Sequence, residues 1–172
     1  MESTAEKTRY ITILRHLFSI VMLNFISDIS HYDIVLNLAI QAKNSLWIGT
    51  ADIKDLYVIQ GQTEKPFLGI LSELIGHGVE VRLIHAKEPG PNFCKDFDKY
   101  PSLARMLERV LCPRVHFKII IIDQKICYIG SANLTGAGMG MKSAYRRNFE
   151  AGILTDNSDI VNAAFEEFDK VW

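Results

Sequence analysis

The chain has 172 residues, of which 48% are hydrophobic and 23% are charged. This length and composition indicate one soluble domain with a core of ordinary size, and they exclude a disordered chain. The formal net charge is −1. No overall electrostatic field therefore attracts a polyanion, and any affinity for nucleic acid must come from a local basic patch.

The three cysteines, Cys94, Cys112 and Cys127, are odd in number and share no C-x-x-C spacing. This pattern is typical of neither a zinc site nor a disulfide framework, and it favours a reducing compartment. We therefore predict a cytoplasmic protein. The sequence also lacks a cluster of carboxylates that would hold a metal ion, so we predict that no metal or other cofactor is required.

The first thirty residues carry an apolar stretch with three interpretations. Residues 1–7 are polar, whereas hydrophobic side chains recur at helical spacing over residues 10–29. The longest part without a charge or a histidine, residues 17–27, is shorter than the roughly 20 apolar residues that a membrane span requires. We predict a helix packed on the domain or across a subunit interface. An interfacial membrane anchor and a cleaved targeting segment are the alternatives.

The next elements alternate between helices and strands. We expect a helix over residues 31–44, a strand over 45–49, irregular structure over 50–65, a helix over 66–76 and a strand over 79–84. We expect the longest loop over residues 85–101 and a short helix over 102–111. A helix between two strands is typical of a parallel α/β unit. Phe93, Phe97 and Tyr100 in the long loop alternate with lysines and could either stack bases or pack on the domain.

The most informative stretch is residues 116–133. Four isoleucines at 119–122 predict a buried strand that Asp123 ends, and a second strand over residues 125–129 leads into a turn of small residues. His116 and Lys118 are two apart, so on a strand their side chains leave the same face. Imidazole is a nucleophile near neutral pH, and ammonium and amide N–H groups stabilise charge on phosphoryl oxygens. The stretch therefore suits chemistry at an anionic oxygen centre.

The order of these residues is H-x-K-x4-D-x6-G-S-x-N, represented by His116, Lys118, Asp123, Gly130, Ser131 and Asn133. This order resembles the signature of the phospholipase D-like phosphodiesterase superfamily. The resemblance extends over roughly residues 31–171. It implies an α/β fold with a mixed, largely parallel central sheet, flanked by helices on both faces, and one motif per chain. We therefore predict an N-terminal extension over residues 1–30, helical in structure, and a phospholipase D-like catalytic domain over residues 31–172.

The resemblance also implies roles for residues outside the motif. Residues 148–154 are predicted to form a strand, with Phe149, Ala151 and Ile153 on one face. Glu150 on the other face matches a glutamate that hydrogen-bonds the catalytic imidazole in the family, as carboxylates do in other triads. Thr50, at the end of an earlier strand, could approach the substrate groove together with Asp52. The chain ends in a predicted amphipathic helix, with residues 156–158 as candidate N-caps.

Basic side chains flank the motif in sequence. Lys142, Arg146 and Arg147 follow a glycine-rich run that permits close approach of the backbone to a ligand. Arg114 lies just before the motif strand. These four residues are predicted to bind the backbone of a polyanionic substrate, although a solvated surface would have the same composition.

The number of motifs predicts the assembly. Cleavage of a phosphodiester through a covalent intermediate needs a nucleophile and an acid for the leaving oxygen. One imidazole cannot act from both sides of the phosphorus atom, and the chain has one complete motif. His85 and Lys87 have the same spacing, but no matching downstream residues follow them. We therefore predict a homodimer in which a two-fold axis brings His116 against His116, as the resemblance to single-motif members also implies.

The resulting hypothesis assigns catalytic roles to His116, Lys118, Ser131, Asn133 and Glu150. His116 of one subunit attacks phosphorus, and His116 of the other protonates the leaving oxygen and then activates water. Lys118 and Asn133 hold the non-bridging oxygens, whereas Ser131 and Glu150 orient the imidazoles. Gly130 and Asp123 are structural, and we expect an ion pair at Asp123.

The sequence does not identify the diester. A nuclease acting on nucleic acid is preferred, because the chain is small and has basic residues beside the motif. Phospholipid hydrolysis or phosphatidyl transfer is the alternative, and the apolar residues 10–29 are consistent with a membrane as partner. A non-catalytic nucleic-acid-binding module is the third hypothesis.

Overall fold

The computed structural model describes residues 21–54, 56–88 and 90–172. The strands are β1 (Leu23–Ser27), β2 (Ser45–Thr50), β3 (Ile53–Lys54), β4 (Tyr57–Gln60), β5 (Thr63–Pro66), β6 (Glu80–His85), β7 (Glu108–Leu111), β8 (Lys118–Ile122), β9 (Ile126–Gly130), β10 (Leu134–Thr135) and β11 (Ala151–Thr155). The helices are α1, which is π-helical over His31–Leu36 and α-helical over Asn37–Ala39, α2 (Phe67–Gly76), α3 (Pro91–Phe97), α4 (Pro101–Met106) and α5 (Ser158–Asp169).

Seven strands form the central sheet in the order β1-β11-β9-β8-β2-β6-β7. The mixed α/β architecture is confirmed, but the prediction that the sheet is largely parallel is wrong. Only the β2–β6 and β6–β7 pairs among these strands are parallel, because helix-containing crossovers join them. β8 and β9 are antiparallel because they are joined by a short turn of three residues, 123–125, in which φ is 52° at Asp123 and 53° at Gln124. Two positive φ values are those of a tight hairpin turn.

Helices cover both faces of the sheet, and a hydrophobic core lies under each layer. On one face, side chains of α1 to α4 pack against alternate strand residues that include Leu46, Leu83, Ile120 and Tyr128. On the other face, α5 packs against the intervening residues, which include Trp47, Ile121 and Cys127. The alternation along each strand accounts for the nearly continuous apolar sequence of the central strands, because both faces are buried.

The predicted N-terminal helix is wrong where it can be compared with the structure. Leu23–Ser27 forms β1, which pairs antiparallel with β11 at the sheet edge. The apolar residues 23, 25, 26 and 29 suit either a strand or a helix, and pairing with β11 decides between them. Residues 10–20 of the predicted helix lie outside the described residues. The packed helix, the membrane anchor and the targeting segment therefore remain predictions. No helix in the described ranges is long and apolar enough to cross a membrane.

Three further predictions for the middle of the chain need correction. The segment predicted to be irregular, residues 50–65, contains β3 and the β4–β5 hairpin, which turns at Gly61 with φ of 63°. The predicted long loop contains α3, which begins at Pro91, a residue that is well suited to the first helical turn. The helix predicted over residues 102–111 ends at Met106, and β7 then pairs with β6.

The other predicted elements are confirmed with small shifts at their ends. These are α1, which ends at Ala39, and β2, α2, β6, β8, β9 and α5. Asn157 is the N-cap of α5, because its side-chain oxygen accepts hydrogen bonds from the amides of Asp159 and Ile160, both at 3.1 Å. The strand predicted over residues 148–154 begins later, at Ala151.

Candidate active site

Lys118 begins β8 and faces a row of glycines across the sheet. Its partner on β9 is Gly130, which in turn pairs with Gly152 on β11. The Lys118 side chain is only 6% exposed, and its Nζ donates a hydrogen bond to the main-chain oxygen of His116 at 2.6 Å. His116 lies just before the strand and is exposed. The structure therefore presents an accessible imidazole next to a nearly buried ammonium group.

The environment of Lys118 favours an anionic ligand. Burial lowers the pKa of the Lys118 ammonium group from its ordinary value, whereas the negative charge of Glu150 acts in the opposite direction. Burial has this effect because removal of water disfavours the charged form. A partly desolvated cation gains free energy when an anion replaces the lost water. A phosphoryl oxygen next to His116 would supply that anion.

Tyr128 explains why the motif has glycine at position 130. A Cβ at that position would overlap the Tyr128 hydroxyl and lie 2.7 Å from the main-chain oxygen of Ala151. The Tyr128 side chain is fully buried, its ring meets His31 edge-on with 5.5 Å between centroids, and burial raises its pKa to about 12. Gly130 therefore has the structural role predicted for it, because its bare Cα leaves space for a buried aromatic side chain beneath the site.

Ser131 and Glu150 form a hydrogen-bonded pair at the end of β9 and the start of β11. The Ser131 hydroxyl donates to Glu150 Oε2 and accepts from the amide of Ala151 at 3.1 Å. The Glu150 Oε1 accepts from Asn148 Nδ2 at 3.0 Å. Within the described ranges no hydrogen bond joins Glu150 to His116, so the expected carboxylate–imidazole bond is not found in this single chain. Glu150 is instead held by Ser131 and Asn148.

Asn133 is oriented by the backbone that follows β2. Its Oδ1 accepts hydrogen bonds from the amides of Ala51 and Asp52, both at 3.2 Å. The Thr50 hydroxyl accepts from the amide of Leu134 at 3.0 Å and donates to the main-chain oxygen of Asp52 at 2.8 Å. These bonds fix which end of the Asn133 amide is the acceptor. They leave its Nδ2 as a donor for a ligand.

Thr50 and Asp52 are held within the protein. Thr50 is 2% exposed and Asp52 pairs with Lys54 at 2.9 Å. Both residues support Asn133 through the bonds described above. Direct contact of either residue with a substrate stays a prediction.

Asp123 lies at the opposite end of β8 from Lys118. Its Oδ1 accepts hydrogen bonds from the amides of Lys43, Asn44 and Ser45 at 3.0, 2.6 and 3.0 Å. Burial alone would raise the pKa of Asp123, but the backbone bonds from Asn44, Ser45 and Lys43 outweigh it and lower the pKa. Asp123 is thus structural, as expected, but backbone amides hold it in place of the expected ion pair. It anchors the hairpin turn to the start of β2.

The four predicted substrate-binding residues differ in their surroundings. Arg147 is only 14% exposed and pairs with Asp28 at 3.0 Å, so its predicted role in substrate binding needs correction to a structural one. This pairing ties the segment before β11 to the end of β1. Arg114 and Arg146 are exposed and Lys142 is half-buried. For these three residues, substrate binding remains a prediction.

His85 and the aromatic residues of the predicted long loop pack on the domain. His85 is fully buried and its Nδ1 lies 2.7 Å from the main-chain oxygen of Lys87, which assigns the ring proton to Nδ1. Phe93 is buried and stacks with Phe97, and the Arg109 guanidinium lies over Phe97. Of the two interpretations given for Phe93 and Phe97, the structure supports packing on the domain.

Two residues of the site's framework were not singled out as site residues from the sequence. Tyr128 is buried beneath the motif glycine, and Asn148 holds the carboxylate of Glu150. The sequence feature that could have identified Tyr128 is its position two residues before Gly130, on the same face of the strand. Asn148 could have been identified in the same way, because it lies two residues before Glu150.

The site combines groups suited to phosphoryl chemistry. An accessible imidazole lies next to a desolvated ammonium group, and the ends of neighbouring strands add an oriented amide donor and a serine–glutamate pair. In the described part of the chain, no group of three His, Cys, Asp or Glu side chains could hold a metal ion. Metal independence stays a prediction.

Comparisons with known proteins are consistent with this arrangement. A family described as "Cardiolipin synthase, PLD-like domain" matches residues 35–172. No curated protein matches the sequence. NucT from Helicobacter pylori superposes with a TM-score of 0.65 at 18% identity, over 88% of this chain and 96% of its own. Nuc from Salmonella typhimurium, titled a phospholipase D family member, superposes with a TM-score of 0.65 at 18% identity, over 89% and 93%.

A phosphatidylserine synthase from Haemophilus influenzae is also similar in fold. It superposes with a TM-score of 0.56 at 14% identity, over 87% of this chain but 37% of its own. At these identities the structural matches establish the fold alone.

Proposed function

Because the chain belongs to the phospholipase D-like superfamily, we propose that it is a metal-independent phosphodiesterase, and specifically a nuclease with a site shared by two subunits. The observation that carries the proposal is that exposed His116 lies next to buried Lys118, and that the oriented amide of Asn133 follows three residues after Gly130, the strand partner of Lys118. These are a nucleophile and two donors for phosphoryl oxygens.

The proposed reaction proceeds in two displacements. In the first, an imidazole nitrogen of His116 attacks phosphorus, the P–O bond to the leaving group breaks, and the imidazole of a second subunit donates a proton to the departing oxygen. In the second, the same imidazole removes a proton from water, which attacks the phosphohistidine and releases His116. Lys118 and Asn133 stabilise the charge on the non-bridging oxygens in both steps. Ser131 and Glu150 are proposed to orient the imidazoles.

Basic residues near the motif in sequence favour nucleic acid over phospholipid as the substrate. Arg114 and Arg146 are exposed, and Lys142, four residues before Arg146, is half-buried. Such residues can contact successive phosphates of a strand. The fold itself does not select between these substrates, since it is similar to that of a phosphatidylserine synthase. Phospholipid cleavage is therefore the alternative that the experiment must include.

The test is incubation of the full chain with single- and double-stranded DNA, RNA and a phospholipid, all in excess chelator, with His116→Ala in parallel. We expect cleavage of at least one nucleic acid by the wild type and none by the variant. Cleavage confined to phospholipid would select the alternative substrate. Nucleic-acid binding without cleavage in either protein would indicate a binding module, and wild-type activity that survives His116→Ala would defeat the mechanism.

A further inference from the structure

A cavity of about 190 Å³ lies at the edge of the central sheet where β2 and β6 end. The segment that follows β2 lines it with Ile53, Leu56 and Tyr57, and the segment that follows β6 lines it with Phe93 and Asp96. The first turn of α2 also lines it. In open α/β sheets, ligands bind in the crevice beyond the carboxyl ends of the parallel strands. The cavity therefore lies where a fold of this kind places a ligand.

The cavity shares both the edge and the face of the sheet with Lys118. β8 runs antiparallel to β2, so Lys118 begins β8 at the edge where β2 ends. Ile120 is two residues after Lys118 and is therefore on the same face of the strand. Ile120 belongs to the core layer that also contains Ile53, Leu56 and Phe93 of the cavity. The cavity and the ammonium group of the candidate active site are therefore on the same side of the sheet.

The cavity lining is continuous with the backbone that orients Asn133. Ile53 begins β3 and pairs with Leu134, the residue after Asn133. The amide of Asp52, the residue before Ile53, donates to Asn133 Oδ1 at 3.2 Å. One strand residue advances the chain by about 3.3 Å. The cavity therefore begins one residue along the chain from a backbone group that positions the proposed donor to a phosphoryl oxygen.

The lining combines apolar side chains with a carboxylate. Phe93 is buried and Tyr57 is 36% exposed. Asp96 supplies the one carboxylate among the described lining residues; its side chain is 27% exposed, and its Oδ1 accepts a hydrogen bond from Lys99 Nζ at 2.7 Å. An ionised carboxylate can only accept hydrogen bonds. The cavity therefore suits an apolar ring that carries an N–H donor at its edge.

The size and charge of the cavity also restrict its occupant. Its volume is below the roughly 300–1,000 Å³ of sites for drug-sized ligands, which suits a single ring system. An alkyl chain would displace water from the Asp96 carboxylate without supplying a donor in its place, and this desolvation costs free energy. The lining therefore favours a nucleobase over the acyl chain of a lipid.

We infer that the cavity binds an amino-bearing nucleobase of the substrate strand, beside the scissile phosphate. The inference rests on the proposed function and adds base selectivity to it. Cytosine presents an amino donor at the position where thymine and uracil present a carbonyl oxygen. The Asp96 carboxylate accepts a hydrogen bond from that amino group and repels the carbonyl oxygen. The cavity therefore prefers cytosine to uracil or thymine.

The first experiment locates a mononucleotide on the full chain by methyl NMR. Cytidine 5′-monophosphate and uridine 5′-monophosphate are a matched pair, since their bases differ in the amino group against the carbonyl oxygen. We expect cytidine monophosphate to shift the methyl signals of Ile53 and Leu56 in the cavity, but not those of Ile160 on α5. The dissociation constant of uridine monophosphate should be at least about tenfold higher.

Asp96→Asn tests the carboxylate, and Asp98→Asn is its matched control. A side-chain amide both donates and accepts hydrogen bonds, so the preference for cytidine over uridine monophosphate should disappear in Asp96→Asn. Asp98 is exposed, two residues further along the chain, and does not line the cavity, so Asp98→Asn should keep the preference.

Tyr57→Ala tests the ring that lines the cavity. Loss of an aromatic surface for a base should raise the dissociation constants of both nucleotides at least about fivefold. Circular dichroism of each variant distinguishes lost binding from misfolding. If one of Asp96→Asn and Tyr57→Ala unfolds, the other still decides the question, because the two residues are on different segments.

Three results would overturn the inference. One is that neither nucleotide shifts the Ile53 and Leu56 methyl signals. The second is that both nucleotides bind equally, or that their binding is unchanged in Asp96→Asn and Tyr57→Ala. The third is that octanoate shifts these signals and cytidine monophosphate does not, which would assign the cavity to an alkyl chain.

Cleavage separates failure of this inference from failure of the proposed function. Sequencing of the product ends should show cytosine enriched over thymine or uracil at one position beside the cut, and this enrichment should be lost in Asp96→Asn. Cleavage without base preference, by a protein whose cavity takes no nucleotide, would contradict the inference and leave the function in place. Cytidine monophosphate in the cavity of a protein that cleaves no nucleic acid would contradict the proposed function and leave the cavity assigned to a nucleobase.

Discussion

The Lys118 side chain turns back along its own strand, and its Nζ donates a hydrogen bond to the main-chain oxygen of His116 at 2.6 Å. The ammonium group therefore both positions the backbone at the nucleophile and supplies positive charge beside it. Since the side chain is almost completely buried, that charge is poorly solvated until an anion binds.

Lys118→Met should lower kcat by about 10²–10³-fold, which is the usual effect of removing a donor to a transition-state oxyanion. Methionine fills similar space, so the thermal unfolding midpoint should change little. Steady-state kinetics on the cleaved substrate measures the effect. A variant with unchanged kcat would show that the ammonium group is not needed for chemistry.

The pH dependence of the wild type should have an alkaline limb below the ordinary lysine pKa of 10.5, because burial lowers the pKa of Lys118 and only the ammonium form carries the charge. Activity is then present at lower pH and is lost as pH rises through the lowered pKa. In Lys118→Arg, any residual activity should lack this limb, since a guanidinium stays charged. A limb that is unchanged in Lys118→Arg would assign it to another group.

Asn133→Asp separates the two ends of the amide. An aspartate oxygen still accepts from the amides of Ala51 and Asp52, so the fold should be retained, but the Nδ2 donor is replaced by a negative oxygen. We expect a loss of kcat of at least about 10²-fold, with an unchanged circular dichroism spectrum. Full activity in Asn133→Asp would show that Asn133 serves only to join the two segments.

Asp123→Ala should destabilise the folded protein by about 1–3 kcal/mol, because three backbone amides lose their charged acceptor. The left-handed backbone at this position adds a further cost of about 1–2 kcal/mol for alanine. Asp123→Asn accepts that backbone and keeps one acceptor oxygen, so its loss should be smaller. Urea unfolding of the three proteins gives the order, and equal stability would contradict the anchoring role.

The sign of the pH effect at Asp123 follows from its lowered pKa. The carboxylate contributes stability at pH above its ordinary pKa of 3.8, and that contribution is lost as pH falls through the lowered pKa in the folded state. Asp123→Asn should therefore unfold with a shallower dependence on pH in this acidic range. An identical acid-unfolding curve would show that the charge of Asp123 makes no contribution.

The motif could be predicted from the sequence because its information is local. Four consecutive isoleucines predict a strand buried on both faces, and the spacing of His116, Lys118 and Asp123 then assigns their positions along it. The helices on both faces of the sheet were implied by the resemblance to the phospholipase D-like superfamily, whereas the order of helices and strands by itself indicated only an α/β unit. The end of this strand at Asp123 was also predicted, although the conformation of the turn depends on positive φ values at Asp123 and Gln124 that residues other than glycine rarely adopt.

The errors arose where a distant partner decides the outcome. Leu23–Ser27 is a strand because β11 is available to pair with it, which no local pattern reveals. Arg147 was predicted to bind substrate because basic residues surround it in sequence. Its ion pair with Asp28 could not be predicted, since the two residues lie far apart in the chain. Glu150 matched a family residue that contacts imidazole, but in the single chain it is held by Ser131 and Asn148.

The central claim is that His116 forms a covalent bond to phosphorus, and the most direct measurement is trapping of that bond. The protein would be mixed with a diester labelled with ³²P at the scissile phosphate, quenched in alkaline denaturant and mapped by peptide mass spectrometry. We predict a label on His116 that is stable to alkali, is lost in acid and is absent from His116→Asn. Turnover by His116→Asn, or a label on another residue of the wild type, would contradict the claim.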